Sequence, residues 1–190
     1  MKVVGFNGSP RGGGNTAQLL EVVLGELQQA GIETELVELA GTHPQGCIAC
    51  NQCRERKDGR CAVDSDPMNE WIEKMRAADG VLLGSPTYFA DVTPELKALI
   101  DRAGYVARAN DEMFRRKVGA AVVAVRRAGS IHAFDTINHF FLICQMIVPG
   151  SSYWNLGIGR GPGDVQQDEE GLTTMRTLGR NMAWVLERVG

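Results

Sequence analysis

The chain has 190 residues, of which 44% are hydrophobic and 23% charged, with a formal net charge of −3. That balance is ordinary for a soluble globular protein with one sizeable core, and it argues against nucleic acid or an anionic membrane surface as a partner. No apolar run approaches the roughly 18 residues of a membrane span, so no membrane attachment is expected.

The sequence Met1-Lys2-Val3 enters a strand at once. No leader is therefore expected, and a cytoplasmic location with reduced thiols follows. Lys2–Phe6 predicts a buried strand. Over residues 15–30 the apolar positions Leu19, Leu20, Val23, Leu24 and Leu27 recur at helical spacing, and Gly31 stands where a helix C-cap belongs. Residues 33–39 alternate as a second strand. Residues 41–66 are polar, cysteine-rich and irregular. A helix is predicted over 66–78, capped by Asp64 and Asp66, then a continuous apolar strand over 80–84. Thr93 and Pro94 open a helix over 93–106 as cap and first helical residue. The longest apolar strand covers 117–125, and a helix covers 130–145, with Cys144 on its apolar face as a core thiol. Residues 146–148 are expected to form a short fifth strand, and 164–189 a terminal helix entered through the glycine-rich segment 157–163.

Strands alternating with helices imply a parallel sheet covered on both faces. Five strands suit a three-layer, flavodoxin-like, doubly wound α/β fold with order 2-1-3-4-5, in which ligands bind beyond the carboxyl ends of the strands. Nothing suggests a second domain, so residues 1–190 are expected to form one domain with the 41–66 segment as an insertion. The loops at 7–16, 85–91 and 126–130 each follow a strand and should gather at one edge.

The first of these loops reads Asn7-Gly8-Ser9-Pro10-Arg11-Gly12-Gly13-Gly14-Asn15-Thr16. A strand that breaks into glycines and then enters a helix is a phosphate cradle, because free backbone N–H groups and the positive end of the helix dipole converge there. Ser9, Asn15 and Thr16 add hydroxyl and amide donors, and Arg11 adds a cation. The loop lacks the Gly-x-x-x-x-Gly-Lys pattern of nucleoside triphosphatases and the usual Gly-x-Gly-x-x-Gly dinucleotide pattern. A flavin mononucleotide (FMN) phosphate is the better guest. The second loop, Ser85-Pro86-Thr87-Tyr88-Phe89-Ala90-Asp91, taken alone reads as a surface loop that tucks Tyr88 and Phe89 into the core; its place beside the first loop favours a seat for a flat ring, with apolar atoms on the face and backbone groups on the polar edge. The third, Arg126-Arg127-Ala128-Gly129-Ser130, has three readings: contact with the ring's pyrimidine edge, recognition of the phosphate of a nicotinamide donor, or plain solvated arginines.

Four cysteines, Cys47, Cys50, Cys53 and Cys61, are spaced C-x2-C-x2-C-x7-C. Three thiolates two residues apart can wrap one face of an iron–sulfur cubane, and a fourth can close it. A four-cysteine zinc site is the second reading, although such sites more often use two separated pairs. Reduced structural thiols are the third. The three histidines, His43, His132 and His139, show no metal-ligand spacing, and no Gly-x-Ser-x-Gly elbow appears. Asp101-Arg102 reads as a structural or interface pair. Tyr153-Trp154 reads either as a cover over a neighbouring subunit's site or as an interface or core pair.

Taken together, Gly8-Ser9-Pro10-Arg11, Gly14-Asn15-Thr16, Ser85-Pro86-Thr87-Tyr88-Phe89 and Pro94-Glu95-Leu96-Lys97 with Asp101-Arg102 resemble the NADPH-dependent FMN reductase family of flavodoxin-like proteins. The cysteine segment resembles the iron–sulfur flavoprotein branch. The resemblance implies FMN held through its phosphate by Ser9, Arg11, Asn15 and Thr16, with ring contacts from Pro86, Thr87, Tyr88, Phe89, Ala128 and Gly129. It implies a four-iron, four-sulfur (4Fe-4S) cluster on Cys47, Cys50, Cys53 and Cys61, although related flavin reductases keep a similar cysteine loop without one. It also implies a homodimer or homotetramer. The expected activity is an FMN-dependent oxidoreductase carrying electrons from NAD(P)H or ferredoxin to a small acceptor such as a quinone or free flavin. The alternative is an electron-transfer protein between ferredoxin and an unknown acceptor. No side chain is expected to act as a catalytic acid or base, because the flavin carries the chemistry.

Overall fold

A computed structural model describes residues 1–189. Five strands form one sheet in the order β2-β1-β3-β4-β5: β1 (Lys2–Asn7), β2 (Glu33–Glu38), β3 (Gly80–Pro86), β4 (Val118–Val125) and β5 (Leu156–Ile158). Every neighbouring pair is parallel. The helices are α1 (Asn15–Gln29), α2 (Gln52–Arg56), α3 (Met68–Ala77), α4 (Pro94–Ala109), α5 (Ser130–Ile143) and α6 (Glu169–Val189).

Period-2 alternation along the strands splits the core into two layers. Val3, Leu82, Val118, Ala120 and Val122 pack with the apolar stripes of α1 and α6. Val4, Phe6, Val81, Leu83, Ala121 and Val123 face the opposite way, against α3, α4 and α5. All eight residues of β4 are buried, which is why it reads as an unbroken apolar run rather than an alternating one.

The fifth strand is not where the sequence suggests. Residues 146–148 supply only a single bridge, Ile147 beside Val118, with Gly119 N–H donating to Ile147 O at 2.9 Å and Ile147 N–H to Lys117 O at 2.9 Å. Pro149 has no N–H with which to continue the ladder, and the chain leaves the sheet. It returns at Leu156–Ile158, beside Val123–Val125. The buried Asn155 spans the gap: its Nδ2 donates to Ala121 O at 2.9 Å, and its carbonyl accepts Val123 N–H at 3.0 Å. Two short segments thus share the edge of β4.

The terminal helix is likewise divided. A 3₁₀ turn covers Asp164–Gln167, and Asp168 then starts α6, its Oδ1 accepting Gly171 N–H at 3.0 Å while Oδ2 accepts Ile158 N–H at 2.6 Å. The short α2 lies inside the segment read as irregular.

Candidate functional site

Two sites emerge, one at the carboxyl edge of the sheet and one under the cysteine segment. At the sheet edge, the loops after β1, β3, β4 and β5 surround an open cleft. The first loop supplies Ser9, Arg11, Asn15 and Thr16, the second Pro86, Thr87 and Tyr88, the third Val125 and Arg126, and the fourth Gly159 and Arg160.

The first loop is held open by its own side chains. The buried Asn7 accepts Ser9 N–H at 3.1 Å, and Ser9 Oγ accepts Arg11 N–H at 3.1 Å, which leaves the Ser9 hydroxyl proton available to a ligand. Gly13 takes φ +65°, a conformation that suits glycine. Among the described residues, α1 has no side-chain cap and no acid in its first turn. Its orphan N–H groups and dipole therefore face the cleft uncompensated. Gly8 lets the first two loops meet: its N–H donates to Gly84 O at 2.8 Å, and Thr93 Oγ1, which caps α4, donates to Gly8 O at 2.7 Å. A Cβ there would lie 2.8 Å from Leu96 Cβ.

Asn15 lines the cleft, but its side chain is committed elsewhere. Nδ2 donates to Gly161 O at 2.9 Å, and Oδ1 accepts Gly163 N–H at 2.7 Å. The fourth loop is thereby tied to the first, and Arg160 is brought to the cleft wall, with its N–H and that of Gly161 held by Asp164 Oδ2. Arg160 escapes the sequence reading because a fifth strand placed at 146–148 leaves residues 157–163 as a mere lead-in to the last helix. The signal available was an arginine among glycines directly after a short apolar run.

The second loop is a tight two-residue turn. Tyr88 N–H donates to Asp91 O at 2.8 Å, and Asp91 N–H to Tyr88 O at 3.0 Å. Phe89 and Ala90 both take positive φ, +47° and +64°, as a type I′ turn demands. Phe89 stands fully exposed at the tip and does not line the cleft. Ala128 and Gly129 do not line it either. Gly129, at φ +86°, packs against Ala90, where an added Cβ would sit 3.1 Å from Ala90 Cβ. The third loop therefore buttresses the second.

Cys47, Cys50, Cys53 and Cys61 line one shallow pocket with Arg102 and Tyr105, and no cysteine is paired in a disulfide. Ala49 and Asn51 take left-handed φ as the chain turns into α2. Burial pushes the Cys53 thiol up. Asn69 clasps Cys61 through both backbone groups, at 2.8 and 3.0 Å. Arg102, 1% exposed, holds the segment from α4: Nη1 donates to Gln45 O at 3.0 Å, Nη2 to Val63 O at 2.6 Å, and Nε to Cys61 Sγ at 3.3 Å. Its ion partner is Asp66. Burial alone would raise the Asp66 carboxyl, but Arg102 and the N–H groups of Gln45 and Met68 hold it below the usual carboxylate range. The adjacent Asp101 pairs instead with Lys97, so Asp101 and Arg102 serve separate contacts. Among the described residues no three His, Cys, Asp or Glu side chains close around a single ion. The four thiols that line this pocket have the number and kind of donor that a four-iron cluster takes.

Residues 1–161 match the family described as NADPH-dependent FMN reductase. The chain is 41% identical to an iron-sulfur flavoprotein of Methanocaldococcus jannaschii, with 100% of this chain and 99% of that protein covered. It is 34% identical to an iron-sulfur flavoprotein of Methanosarcina thermophila, with 100% and 97% covered. Its fold superposes on a flavodoxin, WrbA-like protein from Agrobacterium tumefaciens with a TM-score of 0.67 at 15% identity, covering 100% of this chain and 98% of that one. No described helix is long and apolar enough to cross a membrane.

Proposed function

We propose, for a chain that belongs to the NADPH-dependent FMN reductase family in its iron–sulfur flavoprotein branch, an oxidoreductase that passes electrons from NAD(P)H or a reduced ferredoxin through FMN to a small acceptor such as a quinone or free flavin. The observation that carries this reading is the cleft at the carboxyl edge of the sheet, floored by the glycine-rich loop and the open N-terminus of α1. Ser9, Arg11, Thr16 and the Asn15 backbone hold the FMN phosphate, and Arg160 adds a second cation beside Arg11. Pro86, Thr87 and Tyr88 face the ring, with Phe89 at the rim and Ala128 and Gly129 supporting the turn. Cys47, Cys50, Cys53 and Cys61 hold a 4Fe-4S cluster. When bound, FMN supplies one- and two-electron transfer and the cluster single-electron transfer.

The residues of both sites bind, orient and tune; none stands as a proton donor or acceptor for a reacting atom. The whole chain works as one FMN-binding domain, and cysteines kept out of disulfides suit a reducing cytoplasm. Exposed Tyr153 and Trp154, in edge contact at 4.5 Å, suit assembly as a homodimer or homotetramer.

The four-cysteine pocket favours a second reading, in which the protein relays electrons between ferredoxin and an acceptor and does not use a nicotinamide. Anaerobic stopped-flow mixing separates the two. Fast flavin bleaching by NADPH supports the reductase. Bleaching only by a reduced ferredoxin supports the relay.

A further inference from the structure

We propose that Arg102 is a positioning residue that sets the reduction potential of the cluster, by giving Cys61 a cationic N–H···S hydrogen bond against the opposing charge of Asp66. The proposal rests on the reading that the four cysteines hold a cluster.

As a clamp alone, Arg102 needs only the carbonyls of Gln45 and Val63 and the Asp66 carboxylate. Asn69 already holds the Cys61 backbone through its N–H and C=O; the fourth contact, Nε to Cys61 Sγ at 3.3 Å, reaches the sulfur itself. What it adds is charge. The guanidinium keeps its proton at any working pH, and the side chains of Arg102 and Asp66 are 1% and 7% exposed, so water and salt screen them little. A cluster gains one negative charge on reduction. Donors to its sulfurs and nearby positive charge favour the reduced state and raise the potential. Asp66 lies on the same guanidinium and works in the opposite sense. Arg102 and Asp66 thus form a buried pair of unlike charges in which one member touches a ligand sulfur.

The test is an EPR-monitored redox titration of anaerobically reconstituted protein, with the FMN potential recorded alongside. Arg102→Gln removes the cation and should move the cluster potential negative. Asp66→Asn keeps one of the two oxygens that accept the Gln45 and Met68 N–H groups, leaves Arg102 uncompensated and should move it positive. The FMN potential should hold still in both, because Arg102 lies nine residues along α4 from Thr93, whose hydroxyl bonds the first cleft loop at Gly8, about 14 Å of helix. Opposite signs support the proposal. Equal values, or shifts of one sign in both variants, overturn it by reducing the pair to a structural clamp. If Arg102→Gln does not fold, Asp66→Asn decides alone: a positive shift supports the proposal, and no shift or a negative one overturns it. Wild-type protein that binds FMN but takes up no iron overturns the cluster reading, and this inference with it.

Discussion

Asn15 Oδ1 accepts the Gly163 N–H at 2.7 Å, across 148 residues of sequence. Its Nδ2 donates to Gly161 O at 2.9 Å. One side chain at the first residue of α1 therefore latches the last loop of the sheet edge to the first, and the cleft has a fourth wall because of it.

Asn15→Ala should open that latch. Two hydrogen bonds at about 0.5–1.5 kcal/mol each predict a stability loss of about 1–3 kcal/mol, measured by denaturant unfolding of the FMN-free protein. FMN affinity should fall with it, as Arg160 is released from the cleft wall.

Arg11→Ala combined with Thr16→Ala should weaken FMN binding by a few kcal/mol, since charge-assisted phosphate bonds contribute about 1.5–3 kcal/mol each. Quenching of flavin fluorescence on titration reads the affinity. Retention at the wild-type level would remove the phosphate from this loop.

Much of this site is written in local sequence. The glycine loop and its donors are adjacent in the chain, so the cradle at Ser9–Thr16 is legible without the fold. The parallel sheet and its order follow from the alternation of apolar strands with helices. Other features depend on contacts distant in sequence. The true fifth strand has three residues, and its edge position is stabilised by the Asn155 side chain, which no periodicity records. The role of Arg102 depends on Gln45, Val63 and Asp66, all from another segment. The diversion of the Asn15 side chain away from the phosphate depends on where the last loop passes. Spacing does suggest the gathering of the four cysteines, but the tethers that dock the segment, from Asn69 of α3, Arg102 of α4 and Asn110 at the α4 end, come from distant sequence.

Ala90 holds φ +64° at the second position of the turn that presents Phe89. A residue with a Cβ costs roughly 1–2 kcal/mol there, partly offset by the greater chain entropy of glycine in the unfolded state. Ala90→Gly should raise stability by up to about 1 kcal/mol, and Ala90→Val should lower it by more than that. Thermal unfolding of both variants checks the turn.

Glu35, on the outer strand β2, accepts a hydrogen bond from Lys74 and pairs with Lys2 of the neighbouring β1. The Lys74 ammonium first, and Lys2 second, hold its carboxyl below the usual glutamate range. A carboxyl lowered by folding contributes stability above its unfolded pKa of about 4.3, and loses that contribution as pH falls from there through the folded value. Wild type should therefore exceed Glu35→Gln in Tm at pH 7, with the gap closing steadily below about pH 4.3. A gap that stays constant down to acid denaturation would contradict the ion-pair account.

The most direct measurement is cofactor content with an absorption spectrum on anaerobically purified protein. The account predicts about one FMN and about four irons with matching sulfide per chain, and a broad iron–sulfur absorbance beneath the flavin bands. Cys50→Ser should keep the flavin and lose the iron. Flavin without iron in the wild type would make Cys47, Cys50, Cys53 and Cys61 structural thiols. A chain that holds no flavin even with FMN added would contradict the account at its centre.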